Sequence, residues 1–396
     1  WLGCHLSGAM GGNALKKCKL RRFAREEYKA LEAKVLDIIS SVFTAFAVPA
    51  YLPSKDSFGD VDVLVIGESV DEVKEVATLF DSKEVVRNGN VVSCEFRDFQ
   101  VDVIVVPSRK FDVSNFFYGY SDFGSILGRM CSFWGLKFGG DGLFVKVYCD
   151  MQPGDKADCV CDRKDPCFIG RLDLTSDLQE IADFMGIDLQ TWEIGFDSEE
   201  EVFAFLTSSR LFHLGAFSSQ MAAVRSKVEE GEEGRHTSCG TDITSQMRKR
   251  IATRPFYIRF LQYLDAHHTV DGKTSMKPDD RFEFLGQALD RFGKGQEFNQ
   301  LFKDHQGKME AKEKWNARVV QSSLESHLDY PLVGKLLGMF MSEFKRDTVR
   351  SLRMGSIKDQ EVKDDVIFNQ WVLQTDKTDI QKQVLSKYLD RHSILQ

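Results

Sequence analysis

The chain has 396 residues, 42% of them hydrophobic and 28% charged, a balance that excludes general disorder, and its length calls for two or three domains at roughly 100–200 residues each. A net charge of −8 excludes a surface that is basic throughout, so any polyanion must be met by local basic clusters. No apolar run approaches the roughly 18 residues of a membrane span, so no membrane contact is expected, and nine scattered cysteines suit an intracellular, cytoplasmic or nuclear setting better than a disulfide framework.

In chain order, residues 14–41 begin with a basic run of Lys16, Lys17, Lys19, Arg21, Arg22 and Arg25. Tyr28, Leu31, Val35, Ile38 and Ile39 follow at helical spacing, so a helical region over 14–41 is expected to pack its apolar face on the strands after it. The basic run reads as a solvated face or as a contact to polyphosphate or a nucleic acid strand. Strands are expected over 45–51, weakened by Pro49, and over 60–66, with an amphipathic helix over 71–80. Residues 91–96 and 99–106 have the pattern of a hairpin turning at Arg97 and Asp98.

An aromatic run, Phe116-Phe117-Tyr118-Gly119-Tyr120, precedes a helix through Gly124, Ile126, Leu127, Arg129 and Met130 that Ser121 or Asp122 would cap. A glycine turn at 139–142 leads into a further strand, and Cys149, Cys159, Cys161 and Cys167 then fall in a polar loop whose spacing matches no known zinc module. From about 175 the pattern is helical, with capping-box spacing at Ser176/Gln179 and Ser198/Glu201. Residues 225–244 read as a mobile loop, and helices are expected over 281–292, 309–324, 332–344 and 380–389. The cluster Arg248, Lys249, Arg250 and Arg254 is a candidate contact to nucleic acid or triphosphate; Arg129 and Lys137 could reach a triphosphate or the base, though a surface ion pair is the favoured reading of both. Tyr118 and Tyr120 are candidates for stacking on a base or for the core.

The chemistry concentrates at Ser57-Phe58-Gly59-Asp60-Val61-Asp62. Asp60 and Asp62 alternate with apolar residues and so share one face of a strand, and Asp102 sits in a second apolar strand. Carboxylates placed side by side repel unless a cation lies between them, so all three are candidate catalytic residues and ligands of two Mg²⁺ or Mn²⁺ ions. Such ions activate an attacking hydroxyl and clamp a triphosphate, which is the requirement of nucleotidyl transfer. Ser57, the backbone at Gly59, and Lys55 are the candidate phosphate contacts.

This arrangement resembles the catalytic core of the DNA polymerase β-like nucleotidyltransferase superfamily, with a Gly/Ser turn, an acid-x-acid strand and a third acid on a neighbouring strand. The likeness covers roughly residues 48–106. In one respect the chain departs from it: Ser-Phe-Gly abuts the acids, whereas the family has Gly-Ser several residues earlier. A catalytic sheet followed by helices is similar to poly(A) polymerases and terminal nucleotidyltransferases, including those of large DNA viruses. The resemblance implies an α+β fold, a mixed-sheet nucleotidyltransferase domain over 1–172 and a mainly helical domain over 173–396, with substrate in the cleft between them. It also implies an NTP substrate, ATP favoured, and an RNA 3′ end as acceptor. Two other readings stay open. One is transfer to a protein or small molecule, or synthesis of a nucleotide messenger; the other is a catalytically silent scaffold that serves a protein partner.

Overall fold

A computed structural model describes residues 14–68, 77–151, 166–230, 245–267, 278–324, 334–355 and 362–393. By compactness the chain forms two units, Trp1–Lys146 with Arg171–Lys294, and Val147–Gly170 with Gly295–Gln396. The first unit thus runs on past residue 172. The expected combination of a mixed sheet and a helical C-terminal part is present.

The first unit is built on a five-stranded sheet. Its strands are β2 (Phe46–Ala47), β4 (Asp60–Ile66), β5 (Val85–Asn88), β6 (Val91–Phe96) and β7 (Phe99–Val106), in the order β2-β4-β7-β6-β5. β4 and β7 are parallel, whereas β2 on β4, and β6 on both β5 and β7, are antiparallel. Pro49 has no N–H for a ladder, and β2 stops two residues before it. The β6–β7 hairpin turns at Arg97 and Asp98, whose φ values of 54° and 62° are those of the turn that matches the twist of paired strands.

Alternation gives the sheet two unlike faces. Val61, Val63, Val65, Val101, Val103 and Val105 point to one side and bury against Tyr28, Leu31, Val35 and Ile39 of helix α1 (Arg25–Ser40). Each such side chain contributes roughly 1.5–3 kcal/mol by leaving water. The other face has Leu64, Ile104 and Val106 in a smaller apolar cluster and, toward the start of β4 and β7, the three aspartates.

The helix expected over 14–41 begins only at Arg25. Residues before it form a strap across the sheet. The Glu84 carboxylate accepts the N–H groups of Lys16, Lys17 and Cys18 at 3.0, 2.7 and 3.0 Å, and Asp98 O accepts that of Arg21 at 3.0 Å. Strand β1 (Phe23–Ala24) then pairs antiparallel with β3 (Ser57–Phe58), Phe23 lying 4.4 Å from Phe99 between ring centroids. Backbone donors satisfied by distant acceptors win here over local helix propensity. These hydrogen bonds, led by that from Lys16, hold the Glu84 carboxyl below its ordinary pKa against the opposing effect of burial. The anchorage is complete above the usual carboxylate pKa and is lost as pH falls through the lowered value. Tryptic cleavage at Lys16, Lys17 and Lys19 at pH 8 is expected to quicken roughly tenfold in Glu84→Ala and less in Glu84→Gln, which keeps an acceptor. Equal cleavage rates in all three proteins would show that the strap is held by other contacts.

Helices α2 (Phe111–Tyr118) and α3 (Phe123–Phe133) follow the sheet, so the aromatic run lies largely within a helix. They meet at Gly124, where any Cβ would come within 2.2 Å of Phe117 O. Asp122 is the N-cap residue of α3. Strands β8 (Lys137–Gly139), β9 (Gly142–Tyr148) and β10 (Phe168–Thr175) form a second sheet in the order β10-β9-β8, and the chain leaves the first unit within β9 and re-enters it within β10. Gly142 turns into β9 at φ 112°, a conformation that suits glycine.

Further α-helices among the described residues of the first unit are α4 (Leu178–Met185), α5 (Leu189–Ile194), α6 (Glu199–Ser208), α7 (Ser218–Glu230), α8 (Ser245–Thr253), α9 (Pro255–His267) and α10 (Pro278–Arg291). Asp177, one residue later than expected, caps α4 through Glu180 N, and Ser198 caps α6 through Glu201 N as its spacing predicts. Part of the loop expected over 225–244 is helical, since α7 continues to Glu230; residues 231–244 lie outside the described residues. So does most of the helix expected over 71–80, of which 77–79 is seen as helical.

In the second unit, α11 (Gly295–Lys314), α12 (Ala317–Leu324), α13 (Gly334–Gly355), α14 (Asp364–Gln374) and α15 (Lys377–Ser393) bury Val320, Phe340, Phe344, Phe368 and Val384 together. The helix expected over 309–324 is broken at Asn316, whose side chain accepts Val319 N at 3.1 Å and starts α12. Cys149 and Cys167 face each other across β-type pairing, Cys149 N donating to Cys167 O at 2.9 Å, while Cys159 and Cys161 lie outside the described residues. No helix among the described residues is long and apolar enough to cross a membrane.

Candidate metal and nucleotide site

The parallel register of β4 and β7 sets Asp62 beside Asp102 and Asp60 beside Gln100, all on one face. One carboxylate oxygen from each of Asp60, Asp62 and Asp102 lies within 4.8 Å of the others, and the three residues are half-buried. The expected trio is therefore assembled by two adjacent strands. At that separation two ionised carboxylates repel by about 3 kcal/mol at an effective dielectric constant of roughly 20.

The electrostatics follow. Burial, then Asp60 and Asp102, push the Asp62 carboxyl well above its ordinary pKa, with Lys55 opposing. Burial and Asp60 push Asp102 up to about 6, while hydrogen bonds from Ser93 and Gln100 pull the other way. Gln100 Nε2 donates to both Asp102 oxygens, at 3.0 and 2.9 Å. Burial lowers the Lys55 pKa, and Asp60 and Asp62 support its charge. Its Nζ lies 4.6 Å from the centre of the Phe58 ring. Hard oxygen donors in a crowded, partly desolvated group are the donor set that Mg²⁺ or Mn²⁺ takes, so the residues present fit such ions.

The trio opens into a cavity of about 1620 Å³ within the first unit. Lys55 and Ser54 line it, at a turn closed by Lys55 N donating to Leu52 O at 3.1 Å with Pro53 in the position proline favours. Ser57 and Gly59 do not line it. Ser57 is committed to the strap: its hydroxyl accepts from Arg22 Nε at 2.8 Å and its carbonyl from Arg22 Nη2 at 2.9 Å. Of the two turns, the one whose residues line the cavity with the acids is therefore Leu52–Lys55 rather than Ser57-Phe58-Gly59.

Although the whole chain is acidic, nine Lys or Arg residues and only five Asp or Glu residues line the cavity. Two of the arginines are paired there. Arg254 forms an ion pair with Asp122, and Arg259 reaches both oxygens of Glu199 at 2.5 and 2.7 Å. Arg129, Lys137 and Arg250 are different: none has a carboxylate partner among the described residues. Arg129 Nε donates to Ala216 O at 2.8 Å, Lys137 Nζ to Ser132 Oγ at 2.6 Å, and Arg250 lies 5.5 Å from the centre of the Tyr257 ring. Burial lowers the pKa of Arg129, with Arg250 and Arg281 adding to the effect, and lowers that of Lys137, with Lys146 and Arg129 adding to it. Hydroxyls of Ser125, Ser132 and Thr253 are interleaved with these cations in the lining. Tyr118 also lines the cavity, its phenol pushed up to about 12 by burial and by Asp62. Tyr120 is buried, and its hydroxyl accepts Phe196 N at 3.3 Å.

No protein-family model matches the chain, and no curated protein sequence is significantly similar to it.

Proposed function

We propose that the chain is a nucleotidyltransferase, most simply a template-independent one that adds AMP from ATP to an RNA 3′ end, built on the DNA polymerase β-like plan. One observation carries the reading: a single cavity holds three clustered carboxylates and a separate group of half-buried cations that lack carboxylate partners among the described residues. A nucleoside triphosphate with its divalent ions is the complement of both halves.

Asp60, Asp62 and Asp102 would hold two Mg²⁺ or Mn²⁺ ions, which when bound neutralise the triphosphate and make the attacking hydroxyl more acidic. Asp102 would help ready the acceptor hydroxyl. Lys55 and the Ser54 turn offer donors next to the acids, and Arg129, Lys137 and Arg250 offer charge for phosphate oxygens. The cavity exceeds the roughly 300–1,000 Å³ of common small-molecule sites, which leaves room for the end of an acceptor beside a nucleotide.

The test is incubation of the whole chain with each labelled NTP, Mg²⁺ or Mn²⁺ and an RNA primer. Primer extension, strongest with ATP, is expected. A soluble labelled product would move the acceptor to a small molecule, and no transfer with any metal would leave a binding protein. Arg129→Ala and Lys137→Ala are each expected to raise the KM for NTP roughly 10–100-fold, the equivalent of about 1.5–3 kcal/mol for a charged hydrogen bond, with a smaller change in kcat. Unchanged KM in both variants would remove the phosphate role from this cluster.

A further inference from the structure

Asp60, Asp62, Gln100 and Asp102 occupy the four corners of one array, two by two on adjacent parallel strands, and the fourth corner is an amide where the others are carboxylates. Gln100 is 2% exposed and both ends of its amide are engaged. Its Oε1 accepts Ala14 N at 2.9 Å, and its Nε2 donates to the two Asp102 oxygens. The first contact determines the second. With the carbonyl end committed to a backbone N–H, the NH₂ end must face the carboxylate; the reversed amide would set oxygen against oxygen and N–H against N–H. A donor shared by both oxygens sets the plane of the Asp102 carboxylate.

Ala14 is the first described residue of the strap, and its position is set by the sheet. Leu15 is buried, the next three N–H groups end on Glu84, Arg21 N binds Asp98 O, and β1 pairs with β3 two residues ahead of Asp60. One continuous segment thus touches the approach to both acid-bearing strands.

We infer that Gln100 is a positioning residue for Asp102 and that the backbone of the N-terminal strap, through Ala14 N–H, holds Gln100 in its working orientation. The inference rests on the reading of the three acids as a metal site for nucleotidyl transfer. Docking of the strap then decides whether the third carboxylate is aligned with the other two.

The experiment measures Mn²⁺ affinity by electron paramagnetic resonance, together with steady-state primer extension, on the full chain. Gln100→Leu is expected to weaken Mn²⁺ binding roughly 10-fold and to lower kcat at least as much, with the KM for NTP within about threefold of wild type. Ala14→Pro removes the N–H that holds the amide, and is expected to cost roughly 3–10-fold in both readouts; Ala14→Gly, which keeps it, recovers most of that loss. The double variant is expected to be no worse than Gln100→Leu alone, because both act through one contact. Should Gln100→Leu fail to fold, Ala14→Pro against Ala14→Gly still decides. Wild-type affinity and kcat in Gln100→Leu, or losses that multiply in the double variant, overturn the inference. A wild-type protein that binds Mn²⁺ but transfers no nucleotide removes the nucleotidyltransferase reading alone, and the Mn²⁺ comparison still judges Gln100. One that binds no Mn²⁺ overturns both.

Discussion

An Asp60→Ala/Asp62→Ala protein is expected to lose primer extension by on the order of 10³-fold or more, and to lose Mn²⁺ binding with it, while its thermal midpoint stays level or rises. The two outcomes have one cause. Both residues lie within 4.8 Å of Asp102 in a partly desolvated corner, and burial together with its neighbours keeps Asp62 from ionising readily. Removing two of three mutually repelling groups relieves the fold of a repulsion that Lys55 and the hydrogen bonds to Asp102 offset only in part, the usual opposition between a working site and stability. Chelation of divalent ions is expected to abolish transfer by the wild-type chain in the same way. A double variant that extends a primer at the wild-type rate would sink the site assignment, and one that melts far below wild type would give the acids a structural role instead.

Arg254→Ala is expected to destabilise the first unit by about 3–5 kcal/mol, read as a fall in the midpoint of urea unfolding. Asp122 is 5% exposed, and its partner in an ion pair is Arg254. Truncating the arginine leaves that carboxylate buried without its counter-charge. Asp122→Asn/Arg254→Ala removes the stranded charge, so most of the loss should be recovered; a double variant as unstable as the single one would mean that packing of the arginine stem carries the effect. The pair also matters for the site, since Asp122 stands at the start of the helix that carries Arg129, and Arg254 lies between the helices that carry Arg250 and Arg259. The single variant should therefore raise the KM for NTP even where enough protein folds to be assayed.

The parts of this site that could be read from the sequence are those set by short-range pattern. Period-two alternation from Asp60 to Ile66 and from Phe99 to Val106 placed the acids on strands and on one face, and the structure makes those strands neighbours. The turn at Arg97 and Asp98 was legible because two strand patterns left only those residues between them. What escaped depends on partners far away in the chain. Residues 14–24 have the composition of a helix start, yet their backbone donors end on Glu84, Asp98 and Gln100, up to 86 positions away. Arg254 stood in a basic cluster that suggested nucleic acid, but its acid lies 132 positions off, and the acid that holds Arg259 lies 60 positions off. Gln100 gave no signal at all, because its role comes from the register of β7 on β4 rather than from its neighbours in sequence. The choice of Ser57 over Ser54 has the same origin: both are near the acids in the chain, and only pairing with β1 turns Ser57 toward the strap.

The way the chain passes between its two units bears on synthesis. Residues 147–170 group with 295–396, so the end of β9 and the start of β10 are made well before the helices that complete their unit. At ~5–20 residues per second that wait is on the order of ten seconds, during which the first unit can begin to fold before the second is complete. Folding on the ribosome would then be ordered: the acid-bearing sheet can mature early, and the second unit is completed only once residues 295–396 have emerged.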